Sequence, residues 1–223
     1  AFQYLGMKNL NLYVLIILTI ICCSCSSKKQ VVYMQDLNID ETYTMKYKSY
    51  LVKVDDILKI EINSENPETA IAFNPGALSN NISPTKEGLL YNGYIVNSDG
   101  DIYLPYIGKV KVQDMSIEQI RSHIYSSIKD MDYLKNPSVD VKLINAHFTV
   151  LGEVSRPGTY DYIKNNMNLL EAIGIAGDLT INGKRNDIKI IRENNEGIKS
   201  ISSIDLTTSN FLKSDNFQIF SGD

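Results

Sequence analysis

Apolar residues in this chain alternate with polar ones over short runs, and turn residues cut each run off, which confines most of the polypeptide to short strands. Tyr50, Val52 and Val54 share one parity, and after Asp55-Asp56 the run Ile57 to Ile62 reads as a second strand. Residues 63–93 hold Pro67, Pro75, Pro84, Gly76, Gly88 and Gly93 among many asparagines, and are expected to be mostly a long surface excursion. Tyr94-Ile95-Val96 enters a turn at Asn97-Ser98-Asp99-Gly100 and Asp101 to Leu104 leaves it, which predicts a hairpin; Val110-Lys111-Val112 adds a short strand. Ile117, Ile120, Ile124, Ile128 and Met131 instead follow helical spacing, behind a capping box of Ser116 and Gln119. Pro137 bars continuation of that helix, and Ser138 to Leu143 alternates again as a strand.

A second unit repeats the vocabulary. Phe148 to Val154 reads as a strand, Arg156-Pro157-Gly158-Thr159 as a type II turn with Gly158 at positive φ, and Tyr160 begins the return strand. Asn168 caps a short helix to Ala176, with Glu171 three residues on and Gly177 as its stop. Ile188 to Arg192 and Ile198 to Ile204 form a hairpin around Asn195-Glu196-Gly197. Hairpin, helix, hairpin on a small mixed sheet is the order of a β-grasp, and the fold class is α+β. A faint echo links Tyr50–Asp56 with Phe217–Asp223; two strands entering similar turns explain it as well as a true repeat does.

The N-terminus reads as an address. Met7-Lys8-Asn9 is a short basic start, and the apolar run Leu10 to Ile21 falls well short of the ~20 residues a membrane-crossing helix needs. It suits a secretory signal over residues 7–24, with residues 1–6 an upstream extension. All three cysteines, Cys22, Cys23 and Cys25, cluster at its end. Small Ser24 directly before Cys25 makes Cys25 the expected lipid-attachment residue, each buried CH₂ of an acyl chain contributing about 0.8 kcal/mol. Ser26 is not the aspartate that resembles an inner-membrane retention signal, so the outer membrane is the expected destination, facing the periplasm. Residues 25–45 are polar and are expected to be a lipid-anchored tether.

The remaining chemistry is sparse. The body has no thiol for a disulfide, a zinc site or a nucleophile. A net charge of -4 with neither half basic leaves no footprint for nucleic acid. His123 and His147 have no nucleophile or ligand type nearby in sequence. Gly183-Lys184-Arg185 lacks the preceding glycine of a phosphate loop, and Asn97 to Asp101 lacks the downstream glutamate of a calcium loop. No local motif marks a glycosidase pair among the carboxylates. No catalytic residue, metal or cofactor is expected, and the chain reads as a non-enzyme.

Longer strings carry a resemblance. GYIVNSDGDIYLPYIGKVKV (Gly93–Val112), followed by SIEQIRSHI and NPSVDVKL, resembles the export domain of the bacterial (Wza-like) polysaccharide export protein family. VLGEVSRPGTY (Val150–Tyr160) and NLLEAIGIAGDLTINGKRNDIKIIRE (Asn168–Glu193) are similar to the soluble-ligand-binding β-grasp (SLBB) domain of that family. The resemblance implies an export domain at 46–147 and a β-grasp domain at 148–223, with Gly100, Pro105 and Gly108 as signature residues of the first. Gly152, Glu153, Pro157, Gly158 and Gly177 are those of the second. Glu153 and Arg156 are candidates for pairing between subunits, or for plain solvated charges. It further implies an outer-membrane lipoprotein subunit of a homo-oligomeric ring that conducts capsular or extracellular polysaccharide. The implied partner is an inner-membrane polysaccharide co-polymerase, often a tyrosine kinase. Two departures stand out. Val54-Asp55-Asp56 replaces the family's usual Pro-Gly-Asp, and the chain stops at Gly222-Asp223, inside a motif that normally enters another strand, as expected of a C-terminally truncated fragment. The competing reading is a monomeric periplasmic lipoprotein that captures a ligand in its β-grasp.

Overall fold

The computed structural model describes residues 31–37, 40, 42–74, 88 and 92–223. The upstream extension, the signal peptide and Cys25 lie outside the described residues.

The first core is built on a three-stranded antiparallel sheet in the order β2–β1–β5, with β1 at Ile57–Asn63, β2 at Tyr94–Ile95 and β5 at Ser138–Leu143. Alternation in β1 turns Leu58, Ile60 and Ile62 inward, and register sets Ile60 against Val141. The helix α2, Ile117–Met131, closes this core with Ile120, Ile124 and Ile128, each fully buried and contributing roughly 1.5–3 kcal/mol. The capping box forms: Ser116 Oγ accepts from Gln119 N–H at 3.2 Å, and Gln119 Oε1 accepts from Ser116 N–H at 2.8 Å. Asp132, at φ 55, ends the helix.

Two expectations for this half need correction. The turn at Asn97–Gly100 exists, with Gly100 N–H donating to Asn97 C=O at 2.8 Å, but Tyr94–Ile95 pairs with β1 rather than with the strand beyond the turn. The hairpin is instead β3 (Asp101–Leu104) with β4 (Gly108–Lys111), closed by Pro105-Tyr106-Ile107. Fully buried Val96 explains the choice, because its backbone bonds both Asp55 and Asp56 and holds β2 against the start of β1. Residues 50–54 make only one bridge, Leu51 to Ser116, although Val52 is fully buried. The excursion after β1 is mostly exposed where it is described, and residues 75–87 and 89–91 lie outside the described residues. A short helix α1, Pro67–Ile71, is capped by Asn66, and the Asn74 amide pairs with the backbone of Ile62 while Phe73 is buried.

The second core gathers Phe148, Met167, Leu169, Ile173, Ile190, Ile204, Leu206, Phe211 and Phe217. Three two-stranded antiparallel ladders surround it: β6 (His147–Val150) with β7 (Gly158–Asp161), β8 (Met167–Asn168) with β11 (Gln218–Ile219), and β9 (Ile188–Glu193) with β10 (Lys199–Ile204). The helix α3, Leu169–Ile175, carries the expected Asn168–Glu171 capping box and stops at Gly177, φ +81. The hairpin–helix–hairpin order and the α+β class hold, as separate antiparallel ladders in place of one mixed sheet.

Gly158 corrects the turn reading. It is the first residue of β7, paired with Val150, and is absent from the left-handed region; Gly152, at φ +101, takes that role earlier in the connection. The connection is long because it docks on the end of α3. Arg156 N–H donates to Ala176 C=O at 2.8 Å, and Ser155 N–H to Asp178 C=O at 2.9 Å.

Candidate functional site

Two buried aspartates close the same turn in the two halves of the chain. The Asp56 carboxylate accepts from Lys53 N–H at 2.8 Å, and the Asp223 carboxylate from Phe220 N–H at 2.9 Å. In each turn the preceding residue is left-handed, Asp55 at φ 69 and Gly222 at φ 89. The aspartate N–H donates back to the same partner, to Lys53 C=O at 3.3 Å and to Phe220 C=O at 3.2 Å. The echo between Tyr50–Asp56 and Phe217–Asp223 is therefore a geometric repeat of the turn. Aspartate is among the few residues with a side chain that occupy this backbone region readily, so Asp55 keeps the turn that glycine makes elsewhere.

The two turns differ in what grips the carboxylate. Asp56 also accepts from the Tyr50 hydroxyl at 2.9 Å. Burial pushes the Asp56 carboxyl above its usual range against the pull of Lys53 N–H and Tyr50, and burial pushes the Tyr50 phenol up as well, with help from the Asp56 charge. Asp223 is held by a two-pronged guanidinium, Arg192 Nε to Oδ1 at 2.8 Å and Nη2 to Oδ2 at 2.5 Å. Arg192 also lies 4.5 Å over the Phe220 ring, and Phe220 stands 6.2 Å from the Tyr50 ring, so the two turns meet where the two cores join.

A strap of N-terminal residues crosses the same junction. The buried Gln218 side chain treats the backbone of Lys48 as a strand partner, accepting from its N–H at 2.7 Å and donating to its C=O at 2.8 Å. Upstream, Met34 N–H donates to Leu206 C=O, Asp36 accepts from Ser209 N–H at 2.5 Å, and the Tyr33 hydroxyl donates to Asp178. Tyr33 covers buried Arg185, whose guanidinium sits 5.0 Å from the ring and donates to Leu179 C=O at 3.1 Å. Burial, then the neighbouring Asp178, pushes the Tyr33 phenol up to about 12. Residues read as a free polar tether are thus, where described, docked on the second core.

The signature residues fall in two places. Gly100 (φ +76), Pro105 and Gly108 (φ +83) shape the two turns on either side of β3. Gly152, Glu153 and Pro157 lie in the β6–β7 connection, against the end of α3 where Gly177 sits. Glu153 receives the Thr180 hydroxyl at 2.7 Å, and Arg156 donates to Ile175 C=O at 2.9 Å, so both bond within the chain and not to each other. At Gly183, which belongs to no phosphate-loop motif, a Cβ would stand 2.8 Å from the Glu153 carbonyl oxygen, so the site needs a residue without a side chain. Gln218 and Arg192 carried no sequence signal, because each acts through partners remote in the chain.

His123 is exposed on α2, and the ring Nδ1 of His147 stands 3.0 Å from Asn145 C=O. Among the described residues no cluster of His, Cys, Asp or Glu has metal-binding geometry, and no helix is long and apolar enough to cross a membrane. Cavities among the described residues include a cleft of about 700 Å³ at the junction, and an apolar groove of about 550 Å³ in the second core, between the β6–β7 connection and β9.

Comparison with known proteins follows the same two cores. The family described as polysaccharide biosynthesis/export protein matches residues 45–144, and the SLBB domain matches residues 147–200. The EPS I polysaccharide export outer membrane protein EpsA of Ralstonia solanacearum is 29% identical over 116 residues, covering 50% of this chain and 30% of that protein. Its namesake from Ralstonia nicotianae is 32% identical over 105 residues, covering 45% of this chain and 27% of that protein. The matched region spans less than a third of the length of these curated relatives. With an export domain followed directly by an SLBB domain, the chain belongs to the bacterial polysaccharide export protein family.

Proposed function

We propose that this chain is an outer-membrane lipoprotein subunit of an oligomeric conduit that exports capsular or extracellular polysaccharide. One observation carries the reading: the two domains follow one another without a gap wide enough for a third, in a chain similar to proteins named for polysaccharide export at the outer membrane. Cys25 is the proposed lipid anchor, and an inner-membrane polysaccharide co-polymerase the proposed partner. A conduit makes and breaks no bond, so the proposed role is non-enzymatic.

The test is a deletion. Loss of the protein should leave polymer synthesised but absent from the surface, or stall synthesis behind undelivered intermediates, and the purified protein should release no sugar from surface glycan. Normal surface polymer in a deletion strain with no paralogue, or turnover of glycan by the purified protein, would overturn the reading. Mass measurement of the detergent-extracted lipoprotein separates a closed ring from the monomeric binding protein, and Cys25→Ser should abolish acyl-label incorporation.

A further inference from the structure

The cleft at the junction has the size of a ligand site, about 700 Å³ against roughly 300–1,000 Å³ for small-molecule pockets generally. Its walls come from the strap and from both cores. The strap supplies Tyr47 and Tyr50, the first core supplies the start of α2 and the end of β5, and the second core supplies Tyr162 and Phe220. Aromatic residues therefore line it from two sides.

Between the rings the cleft is polar but electrically balanced. Lys142 Nζ reaches Asp140 at 2.7 Å, and Arg121 bridges Glu118 and, at 3.8 Å, the other oxygen of Asp140. The Lys142 bond and then the Arg121 charge hold the Asp140 carboxyl below its usual range, so it is an anion at neutral pH. The two other cations of the lining are matched from outside it, Lys48 by Asp215 at 2.8 Å and Lys164 by Glu171. An anionic ligand would meet Glu118 and Asp140 and find each cation already paired; a cationic ligand would meet the four cations. What the cleft offers is paired charged groups with hydrogen-bond donors and acceptors side by side, two exposed amides at Asn165 and Asn166, and aromatic side chains. A sugar ring presents the matching set, hydroxyls that both donate and accept around its edge and an apolar C–H face.

We infer that the junction cleft is a binding site for neutral sugar units, a subsite that touches the glycan at the boundary of the two domains. The inference rests on the export reading for the class of polymer and adds the place, the contact residues and the charge type. Because the ion pairs are internally satisfied, binding depends on hydrogen bonds and ring contact and is largely insensitive to salt.

The test uses fragments of the source cell's own surface glycan, cut by mild acid and separated into neutral and anionic pools. Each pool is titrated into the purified protein while the backbone amide resonances of Tyr47, Tyr162, Asn165 and Asn166 are followed, at low and at high salt. The neutral pool should shift these resonances together, with an apparent affinity that changes little with salt. Tyr47→Ala and Asn165→Ala change exposed residues and should keep the unfolding midpoint while weakening binding by about tenfold each, a loss of about 1.4 kcal/mol. Three results would overturn the inference: no response to either pool, a response to the anionic pool that salt abolishes, or shifts that track protein concentration without glycan, which would make the cleft a contact between copies. If the deletion strain exports normally, the export reading fails whatever the titration shows. If export needs the protein but neither pool reaches the cleft, only the subsite fails.

Discussion

Gln218→Leu isolates what holds the strap to the second core. The native side chain is 4% exposed and makes two bonds to one residue's backbone, at 2.7 and 2.8 Å, across a separation of 170 positions. A neutral hydrogen bond contributes about 0.5–1.5 kcal/mol net, so losing both costs about 1–3 kcal/mol. The lower half of that range is expected, because Lys48 is exposed and water can reach its freed N–H and C=O. The neighbouring ion pair decides little by comparison. Lys48 and Asp215 sit 2.8 Å apart, but their side chains are 60% and 75% exposed, and Asp215→Ala should cost less than about 0.5 kcal/mol. Urea unfolding of the two variants gives the energies, and hydrogen exchange at the Lys48 amide gives the location. Gln218→Leu should abolish protection there and Asp215→Ala should leave it. Equal protection in wild type and Gln218→Leu would refute the assignment of the strap's anchor.

Other sites give sharper contrasts. Gly183→Ala places a methyl 2.8 Å from the Glu153 carbonyl oxygen and should lower stability by about 1–3 kcal/mol in the same urea assay. Gly152→Val, at φ +101, should cost about 1–3 kcal/mol, while Gly158→Val, in a strand with open space around a Cβ, should stay within about 0.5 kcal/mol. The reverse order would restore the type II turn. For Asp56, burial raises the folded-state pKa above the unfolded value, so the native state binds the extra proton. Its contribution is full below the unfolded pKa and is lost as pH rises through the folded one. The stability of Asp56→Asn relative to wild type should therefore rise across that window, and a difference constant with pH would refute the burial effect.

Short-range signals were legible and long-range ones were not. Both capping boxes, at Ser116 and Asn168, need only residues three apart, and both helices start where those pairs stand. The β9–β10 hairpin was equally local, with its turn residues between its strands. The hairpin expected at Tyr94–Leu104 failed because the free edge of β1, far back in sequence, competes for Tyr94–Ile95 and wins by burying Val96. Pro157-Gly158 matched the residue preferences of a turn, but the contacts of Ser155 and Arg156 with the end of α3 carry the chain past that point before it reverses. The strap was illegible for the same reason. Polar residues such as Asp36 and Lys48 look solvated until partners more than 160 positions later are brought beside them. The repeat of the Asp56 and Asp223 turns was visible as a pattern, and backbone geometry was needed to tell recurrence from coincidence.

The strap also imposes an order on folding. Its contacts join the earliest described residues to the latest, with separations of 145 for Tyr33–Asp178 and 173 for Asp36–Ser209, whereas β3–β4, β9–β10 and both capped helices close over a few residues. Local ladders form before such long loops are worth closing, so the strap is expected to lock last, onto cores already in place. An element that docks late, on a finished surface, through a handful of backbone bonds is also one that a neighbouring copy can supply. Were two copies of this chain held close together, exchange of straps would link them through contacts each chain already makes with itself.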